Sequence, residues 1–406
     1  MDFGRGARTG ELLERVDAFV EREIEPVEAD HHRELLDRDD PWVVLPLIDE
    51  LKAKARAEGL WNLFLPDERY GAGLSNVEYA PLAERMGRSM IASEVFNCNA
   101  PDSGNMEVLA QFGSDEQRER WLAPLLAGEI RSAFCMTEPD VASSDATNME
   151  ATAVVDGDEI VVDGRKWWST GVGHPNCRVL IFMGLSDPDA DRYHQHSMVL
   201  IPLDTPGVKV ERMLDTMGFL DAPGGHGEVS FTGVRVPREA VIGDVGQAFG
   251  IAQARLGPGR IHHCMRLVGL AEMALELACR RATERVAFGK PLANLGGNRE
   301  RIADARIAID QVRLLVLHAA WLLDVGAPEA VGAVSKIKVA APRMAQDVVD
   351  MAIQLHGGGG LSTDFPLAPA WTVARALRLA DGPDEVHRGV VARLELAKYG
   401  QGKWAG

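Results

Sequence analysis

Residues 152–170 read TAVVDGDEIVVDGRKWWST, and this stretch marks the point where the chain changes from a helical to a β pattern. Short β-branched runs at 152–155 and 160–162 are joined through Asp156-Gly157, a dipeptide that favours a tight hairpin. Similar strand-like runs follow at residues 179–183, 198–202, 208–210 and 228–236. The sequence therefore predicts a small β domain in the middle of the chain.

The segments on both sides of this β domain carry apolar residues at helical spacing. From residue 9 to about 131 the pattern is mostly helical, with turns rich in Gly, Pro and Asn. Beyond the β domain, four long helical stretches have short connections, which is typical of an antiparallel bundle. We predict an α+β multidomain chain that is mainly α. Its parts are an N-terminal helical domain at 1–133, a central small β domain at 134–243 and a C-terminal antiparallel four-helix bundle at 244–406.

The composition excludes several classes of partner. A formal net charge of -17 argues against a nucleic-acid binder, because phosphate backbones are held by clustered Lys and Arg. We expect no membrane span, since no stretch approaches the roughly 20 apolar residues that one needs. The segment 1–20 is acidic and amphipathic, unlike a secretory signal, so we expect a cytoplasmic location. The five cysteines include no C-x-x-C pair and are interpreted as buried free thiols.

One carboxylate stands out before the last predicted helix, in the segment 381–385. Pro383 suits the first helical position and leaves Gly382 as a cap, so Asp381 lies just outside the helix N-terminus. The helix dipole favours an ionised carboxylate there, while burial beside an apolar ligand would raise its pKa. Two opposing effects of this kind suit a base that abstracts a proton. Ordinary helix capping by Asp is the alternative.

Two other segments could contact a ligand. The glycine run at 356–360 lets backbone amides approach a phosphate closely, although it could equally end a helix. The segment 166–170 places two indoles beside two hydroxyls, which suits a flat aromatic ligand or, alternatively, a packed core. His262-His263 and the pair His194 and His196 lack the further ligands that a metal site needs, so we predict no metal.

Four motifs, taken in order, resemble those of the acyl-CoA dehydrogenase family, and the resemblance covers nearly the whole chain. The segment 134–139 with 143–145 resembles the first flavin signature of the family, and 166–171 resembles the second. Residues 285–290 resemble the element that reaches the FAD of a neighbouring subunit, and 354–358 resemble the glycine turn near the pyrophosphate.

The resemblance is closer still to a subgroup that often occurs fused to, or beside, an aminoglycoside-phosphotransferase-like kinase domain. The segments that carry it are 100–107, 138–148, 255–263 and 380–387. The 406 residues contain no kinase domain of this type, so a separate chain could supply one.

The resemblance implies FAD as the cofactor, an acyl-CoA as the substrate and an electron-transfer flavoprotein as the acceptor. It also implies a fold of the acyl-CoA dehydrogenase type and a homodimer or homotetramer. The carboxylate of Asp381 would remove the α-proton while a β-hydrogen passes to the flavin as a hydride. The thioester oxygen would accept hydrogen bonds from a ribityl hydroxyl and from the backbone N–H of Asp381.

The resemblance also assigns contacts to the cofactor and to the substrate. The expected cofactor-binding residues are Phe134, Met136, Thr137, Ser143, Trp168, Ser169, Thr170, Arg285, Phe288, Gln354, Gly358, Pro383 and Glu385. Among them, Trp168 would pack on the flavin ring and Thr170 would bond near its N5 atom. The expected substrate-binding residues are Ser144, Arg260 and Gly382.

The chain departs from the family pattern at three positions. Asp381 stands where the family usually has a catalytic glutamate, and it is one methylene shorter. Some relatives place the base one residue before the arginine that matches Arg260, but Gly259 occupies that position here. Gly257 replaces an aspartate that contacts the CoA moiety in many members, so the contacts of this helix with CoA are in question.

Two competing functions share most of these features. An acyl-CoA oxidase would pass the same electrons to oxygen, and the chain length favours the dehydrogenase because such oxidases commonly carry an extra domain. A catalytically weak flavoprotein or CoA-binding partner would tolerate the change from Glu to Asp. The intact flavin signatures argue against that second alternative.

Overall fold

A computed structural model describes residues 6–400, except for the side chain of Leu256, and confirms the predicted order of helical, β and helical segments. The helices are α1 (Ala7–Phe19), α2 (Glu25–Leu36), α3 (Pro46–Ala57), α4 (Asn76–Met86), α5 (Ala92–Val95), α6 (Asp102–Phe112), α7 (Asp115–Gln117), α8 (Ala123–Leu126), α9 (Ala248–Glu284), α10 (Asn298–Asp324), α11 (Ala330–His356), α12 (Gly358–Leu361), α13 (Leu367–Ala376) and α14 (Asp384–Ala397). The strands are β1 (Arg131–Cys135), β2 (Thr152–Asp156), β3 (Glu159–Thr170), β4 (Cys177–Leu185), β5 (His196–Pro202), β6 (Val208–Leu214), β7 (His226–Pro237), β8 (Val286–Ala287) and β9 (Lys290–Pro291).

The chain forms two compact units, each with its own core. The sheet unit comprises residues 29–73 and 94–259, and the bundle unit comprises the described residues of 1–28, 74–93 and 260–406. Each unit therefore contains segments that are distant in sequence.

The sheet unit contains a seven-stranded sheet in the order β1-β4-β2-β3-β7-β6, with β5 paired to β4. The hairpin predicted at Asp156-Gly157 is present, with Asp156 opposite Glu159 and Gly157 at a φ of 63°. Strand β3 has mainly alternate residues buried, whereas β4 and β5 are buried along nearly their whole length. Phe182 contacts Phe231 edge to face at 4.8 Å between ring centroids. The alternation in β3 is typical of a strand with one buried face.

Strand β1 is fixed at its first residue by buried charges. The Arg131 guanidinium lies 2.7 Å from Asp102 on α6 and 2.8 Å from Glu94. Asp102 also accepts a hydrogen bond from the backbone N–H of Ser132 at 2.7 Å. The ion pairs hold the start of β1, so its C-terminal end has a defined position in the sheet unit.

The bundle unit packs α9, α10, α11 and α14 through apolar faces and brings α4 against α9. A Cβ atom built on Gly269 of α9 would lie 1.8 Å from the carbonyl oxygen of Glu84 on α4, so only glycine allows this approach. Arg313 of α10 forms an ion pair with Glu84 at 2.9 Å. Helix α14 begins at Asp384 with Pro383 as its N-cap, one residue later than predicted.

Candidate active site

Within the sheet unit, the ends of β1 and β3 bring most of the predicted cofactor residues together. The backbone N–H of Trp167 donates to the carbonyl of Thr137 at 2.9 Å, which joins the two segments beyond the strand ends. Met136 is half-buried and Thr137 is exposed beside it. Phe134 is half-buried, and the Arg255 guanidinium lies 4.0 Å from its ring centroid.

A buried ion pair holds this edge of the sheet unit. The Lys166 Nζ atom lies 2.7 Å from Glu138 Oε1 and donates to the carbonyl of Met136 at 2.9 Å. Glu138 in turn accepts hydrogen bonds from the backbone N–H groups of Glu150 and Ala151, at 2.9 and 3.1 Å. Burial lowers the pKa of Lys166, and the Glu138 carboxylate opposes that change. The loop between the two predicted signatures is thus fixed to β3.

The serines predicted to contact ligands occupy different environments in the sheet unit. The Ser143 hydroxyl accepts from the backbone N–H of Glu138 at 2.8 Å and so stabilises the loop. Ser169 is buried, and its hydroxyl meets no hydrogen-bond partner among the residues that the structure describes. Burial raises the pKa of the Cys135 thiol to about 11. Ser144 is exposed on the loop.

Trp168 and Thr170 form a surface that suits a flat, nitrogen-rich ring. Trp168 has a φ of 53° and is 39% exposed, with its ring 5.5 Å from that of His226 between centroids. The Thr170 Oγ1 atom lies 2.9 Å from His226 Nδ1, and His226 Nε2 lies 3.6 Å from Asp221 Oδ2. The indole offers a stacking face, and the hydroxyl offers a hydrogen-bonding group beside it. These residues fit the flavin that the sequence predicts at this edge.

In the bundle unit, the turn between α13 and α14 presents Asp381. Asp381 has a φ of 56° and Gly382 a φ of 102°, so the backbone turns sharply just before α14. A Cβ atom on Gly382 would lie 3.0 Å from His387 Nε2, and the positive φ also favours glycine. The turn is therefore specified by its sequence, and the Asp381 side chain is 21% exposed.

Three side chains bind the carbonyl groups of this turn. Lys338 of α11 donates to the carbonyls of Leu377 and Ala380, at 2.7 and 2.8 Å. Arg260 Nε donates to the carbonyl of Asp381 at 3.0 Å, and His387 Nε2 lies 3.2 Å from the same oxygen. The peptide groups on both sides of Asp381 are thus held by side chains.

Burial sets the charges around the turn. It lowers the pKa of Lys338 and of Arg260, and the nearby Asp381 carboxylate opposes both changes. Burial also lowers the pKa of His387 to about 4, so this imidazole is neutral at physiological pH. It raises the pKa of the Cys264 thiol to about 12.

His263 is a neighbour of Asp381 that sequence reasoning missed. Its Nε2 atom lies 3.3 Å from Asp381 Oδ2, and Arg266 Nη2 lies 3.1 Å from its Nδ1 atom. His262, the adjacent histidine, is buried against Tyr79 at 4.9 Å between ring centroids. The two adjacent histidines therefore have different neighbours in the bundle unit.

The remaining predicted cofactor residues of the bundle unit lie at helix ends and turns. Helix α11 ends at His356, and Gly357 follows with a φ of 61°, so the glycine run does stop the helix. Gln354 and Gly358 are exposed on either side of this stop. Glu385 is exposed in the first turn of α14, directly after Pro383.

The β8–β9 hairpin carries Arg285 and Phe288. Phe288 has a φ of 51° and is 95% exposed, and Arg285 is exposed as well. Among the residues that the structure describes, Phe288 is the most exposed of the large apolar side chains.

The described residues were compared with the requirements of a membrane span and of a metal site. Between residues 6 and 400, no helix combines the length and the apolar character that crossing a membrane requires. In the same residues, no group of three or more His, Cys, Asp or Glu side chains could hold a metal ion.

Family models match three consecutive parts of the chain. The N-terminal domain of acyl-CoA dehydrogenases matches residues 8–129, the middle domain matches 133–234 and the C-terminal domain matches 246–396.

Several curated relatives and solved structures are similar to the chain. The mouse acyl-CoA dehydrogenase family member 10 is 53% identical over 95% of the chain, and mouse member 11 is 49% identical over 97%. The chain spans only 36% and 51% of these two relatives. FadE2, a candidate acyl-CoA dehydrogenase of Mycobacterium tuberculosis, is 51% identical, with 98% of both chains covered. A solved structure of a candidate acyl-CoA dehydrogenase from Mycobacterium abscessus is 71% identical, with a TM-score of 0.95, and covers 98% of this chain and 100% of its own. Butyryl-CoA dehydrogenase from Megasphaera elsdenii is 26% identical, with a TM-score of 0.82, and covers 98% of this chain and 100% of its own.

Proposed function

The chain belongs to the acyl-CoA dehydrogenase family, and from that premise we propose that it oxidises an acyl-CoA thioester to the trans-2-enoyl-CoA with Asp381 as the base. By that membership we propose that it is a dehydrogenase and an oxidoreductase that, like other members of the family, binds FAD. The observation that carries the proposal is the turn at Asp381, where a partly exposed carboxylate is held by contacts from α9, α11 and α14.

The α-proton of a thioester is weakly acidic, so its removal requires a base and donors aimed at the developing oxyanion. Lys338 binds the carbonyl of Ala380 at 2.8 Å, and in a trans peptide the following N–H points the opposite way. Lys338 therefore fixes the direction of the Asp381 N–H, the proposed donor to the thioester oxygen. A cation on the carbonyl also polarises the peptide group, which strengthens that donor.

The carboxylate of Asp381 would take the α-proton. The backbone of an aspartate must lie closer to the α carbon than that of a glutamate, because its side chain is one methylene shorter. The positive φ of Asp381 turns the backbone sharply at this residue. Arg260 and His387 hold the carbonyl of Asp381, so the base is anchored on both sides. When bound, FAD accepts the β-hydrogen together with its electron pair.

The cofactor would be held by the surfaces described above. Trp168 would stack on the ring, Thr170 would bond at its polar edge, and Met136 and Thr137 would contact the same edge. The other proposed cofactor contacts are Phe134, Ser143, Ser169, Arg285, Phe288, Gln354, Gly358, Pro383 and Glu385. Ser144, Arg260 and Gly382 are proposed to contact the substrate.

The proposal also covers the oligomeric state, the electron acceptor and the cellular location of the protein. The exposed Phe288 and Arg285 support a homodimer or homotetramer in which this hairpin contacts a second copy. We assign the electrons to an electron-transfer flavoprotein and the protein to the cytoplasm. A kinase-like partner acting upstream, in a separate chain, is a further part of the proposal, and an acyl-CoA oxidase is the second candidate function.

Anaerobic flavin bleaching tests the function. Purified protein with FAD would be mixed with short, long, 2-methyl and 4-hydroxy acyl-CoAs while flavin absorbance is followed. We expect one class to bleach the flavin, Asp381→Asn to abolish bleaching, and Asp381→Glu, the matched control that keeps a carboxylate, to retain it in part. Absence of bleaching by every thioester, with FAD bound, would remove the dehydrogenase assignment. Reoxidation by air as fast as turnover would favour the oxidase.

A further inference from the structure

Arg266, His263 and Asp381 form a line of three polar side chains in the bundle unit. Arg266 Nη2 lies 3.1 Å from His263 Nδ1, and His263 Nε2 lies 3.3 Å from Asp381 Oδ2. Arg266 and His263 both lie on α9, three positions apart, so they share one face of that helix. The first distance is that of a hydrogen bond, and the second is within reach of one.

The contact with Arg266 decides which nitrogen of His263 carries the proton. A guanidinium has five N–H donors and no acceptor, so the Nδ1 atom that it meets must accept. In a neutral imidazole the other nitrogen then carries the hydrogen, and that nitrogen, Nε2, faces Asp381. A protonated His263 would turn an N–H toward the guanidinium, which both charge and hydrogen bonding disfavour.

From this geometry we propose that Arg266 and His263 are positioning residues that keep the Asp381 carboxylate ionised and aimed at the substrate. The inference rests on the proposed function and deepens it. His263, held as the neutral Nε2–H tautomer, donates to Oδ2 of Asp381.

A purely structural role does not account for the pair. The His263 and Asp381 side chains are 19% and 21% exposed, so both are accessible at their tips. The contact limits the rotation of the Asp381 carboxylate. This matters because an error of about 1 Å in a catalytic group can cost about 100-fold in rate.

The pair also accounts for an aspartate at this position. Asp has one fewer rotatable bond than Glu, so a single hydrogen bond to Oδ2 can fix the whole side chain. A glutamate at 381 would extend its carboxylate about one carbon-carbon bond beyond the reach of His263. We therefore expect Asp381 and His263 to be coupled, and the coupling to be lost in Asp381→Glu.

Other titratable groups face Asp381 and contribute to the pH dependence of the site. On α9 they are Arg260 and the Cys264 thiol, on α11 Lys338, and on α14 His387. The Arg260 guanidinium is charged near pH 7, and the Cys264 thiol and the His387 imidazole are neutral. Burial lowers the pKa of Lys338, and the Asp381 carboxylate opposes that change.

The tautomer can be measured without turnover. The imidazole ¹⁵N NMR spectrum of the FAD-bound protein would be recorded from pH 5.5 to 8, with His263→Gln used to assign the His263 signals. We expect the neutral Nε2–H pattern in the wild type and, in Arg266→Met, a loss of that pattern in favour of the Nδ1–H tautomer or the imidazolium. An Nδ1–H tautomer or an imidazolium signal in the wild type would overturn the proposal.

The catalytic consequence is measured by the rate constant of flavin reduction. We expect His263→Leu to lower it about 10- to 100-fold with little change in substrate affinity. His263→Gln, which keeps an N–H donor, should restore most of the rate, and in an Asp381→Glu background His263→Leu should have little further effect. Equal effects of His263→Leu in both backgrounds, with unchanged thermal unfolding, would contradict the coupling. If no thioester bleaches the flavin, the proposed function fails while the NMR spectrum still decides the tautomer.

Discussion

Two histidines, one in each unit, contact residues of the proposed active site. One donates a hydrogen bond to its active-site neighbour, and the other accepts one. In the bundle unit, His263 lies between a cation, Arg266, and the carboxylate of Asp381. In the sheet unit, His226 lies between the hydroxyl of Thr170 and the carboxylate of Asp221.

The residue behind each imidazole decides the direction of its hydrogen bonds. Arginine can only donate, so His263 passes its own hydrogen to Asp381. Behind His226 is an exposed carboxylate 3.6 Å away, which favours a hydrogen on Nε2 and leaves Nδ1 to accept from Thr170. The Asp381 carboxylate therefore accepts a hydrogen bond from His263. The Thr170 hydroxyl donates its hydrogen to His226, and its lone pairs stay available as acceptors. Arg266 lies 3.1 Å from His263, whereas Asp221 lies 3.6 Å from His226. The tautomer of His263 is therefore fixed more firmly than that of His226.

Each region also contains a buried lysine, and the two are compensated differently. Lys166 forms an ion pair with Glu138 at 2.7 Å in the sheet unit. Lys338 instead binds the carbonyls of Leu377 and Ala380 in the bundle unit, at the C-terminal end of α13, where the helix dipole favours a cation. One lysine completes a charge pair, and the other orients the peptide group before Asp381.

The largest loss of stability is expected for Lys166→Met, because this variant leaves the buried Glu138 carboxylate without its counter-ion. Breaking a buried pair in this way costs about 3–5 kcal/mol in the free energy of unfolding. Urea denaturation should show this loss, and Lys166→Met combined with Glu138→Gln should recover a large part of it. A loss below about 1 kcal/mol in the single variant would mean that the pair is a surface-like contact.

A smaller loss is expected for Lys338→Met, because methionine removes two hydrogen bonds without leaving an unpaired charge. The free energy of unfolding should fall by about 1–3 kcal/mol, since two carbonyls lose a donor. The rate constant of flavin reduction should fall about 10- to 100-fold, because the Asp381 N–H is no longer oriented. Unchanged kinetics in a folded Lys338→Met protein would show that Lys338 only stabilises the turn.

Acidification should weaken the contribution of the buried histidines to stability. Burial lowers the pKa of His262 to about 3 and of His387 to about 4 in the bundle unit, and of His174 to about 4 in the sheet unit, where it also lowers the pKa of His196 and of His226. Between pH 6.5 and 4 the unfolded chain binds protons that these folded histidines do not, so their contribution falls as the pH falls. His262, His387 and His174 should each contribute about 1 kcal/mol of loss by pH 5.5, while the buried Glu107 carboxyl, whose pKa burial raises to about 8, opposes the loss. Urea midpoints at pH 7.0 and 5.5 measure the effect, and the midpoint of His174→Gln should fall less than that of the wild type.

The smallest effect is expected for Asp221→Asn, and it is a change in the pKa of His226. Burial lowers the pKa of His226, and the Asp221 carboxylate opposes that change, so its removal should lower this pKa further. NMR titration of the His226 imidazole measures the shift, and Arg266→Met, which acts on His263 in the other unit, is the control that should not move it. A rise in the pKa of His226 would contradict the polarity described for this region.

The fold could be predicted from local patterns because those patterns have local causes. The β-branched runs around Asp156-Gly157 specify a hairpin, and the helical spacing of apolar residues specifies the bundle helices. The position of Asp381 followed from the Gly382-Pro383 signal before α14, although the helix begins one residue later than that signal predicted.

The two histidines could not be predicted, because their partners are distant in sequence. His226 meets Thr170 through the pairing of β3 with β7, whose register shifts twice, and no local pattern encodes those irregularities. His263 meets Asp381 only after α9 and the turn before α14 have packed in the bundle unit. Spacing along the helix did place Arg266 on the face of His263, and that signal was available in the sequence.

Proton exchange at the α carbon tests the role of Asp381 most directly, because it isolates the base from electron transfer. A thioester such as 3,3-dimethylbutyryl-CoA has α-hydrogens but no β-hydrogen to lose, so only the proton step can occur. The FAD-bound protein would be incubated with it in D₂O, and deuterium at the α carbon would be followed by NMR. We predict exchange by the wild type, partial exchange by Asp381→Glu and only the uncatalysed rate in Asp381→Asn. Exchange by Asp381→Asn at the wild-type rate would contradict the assignment of Asp381 as the base.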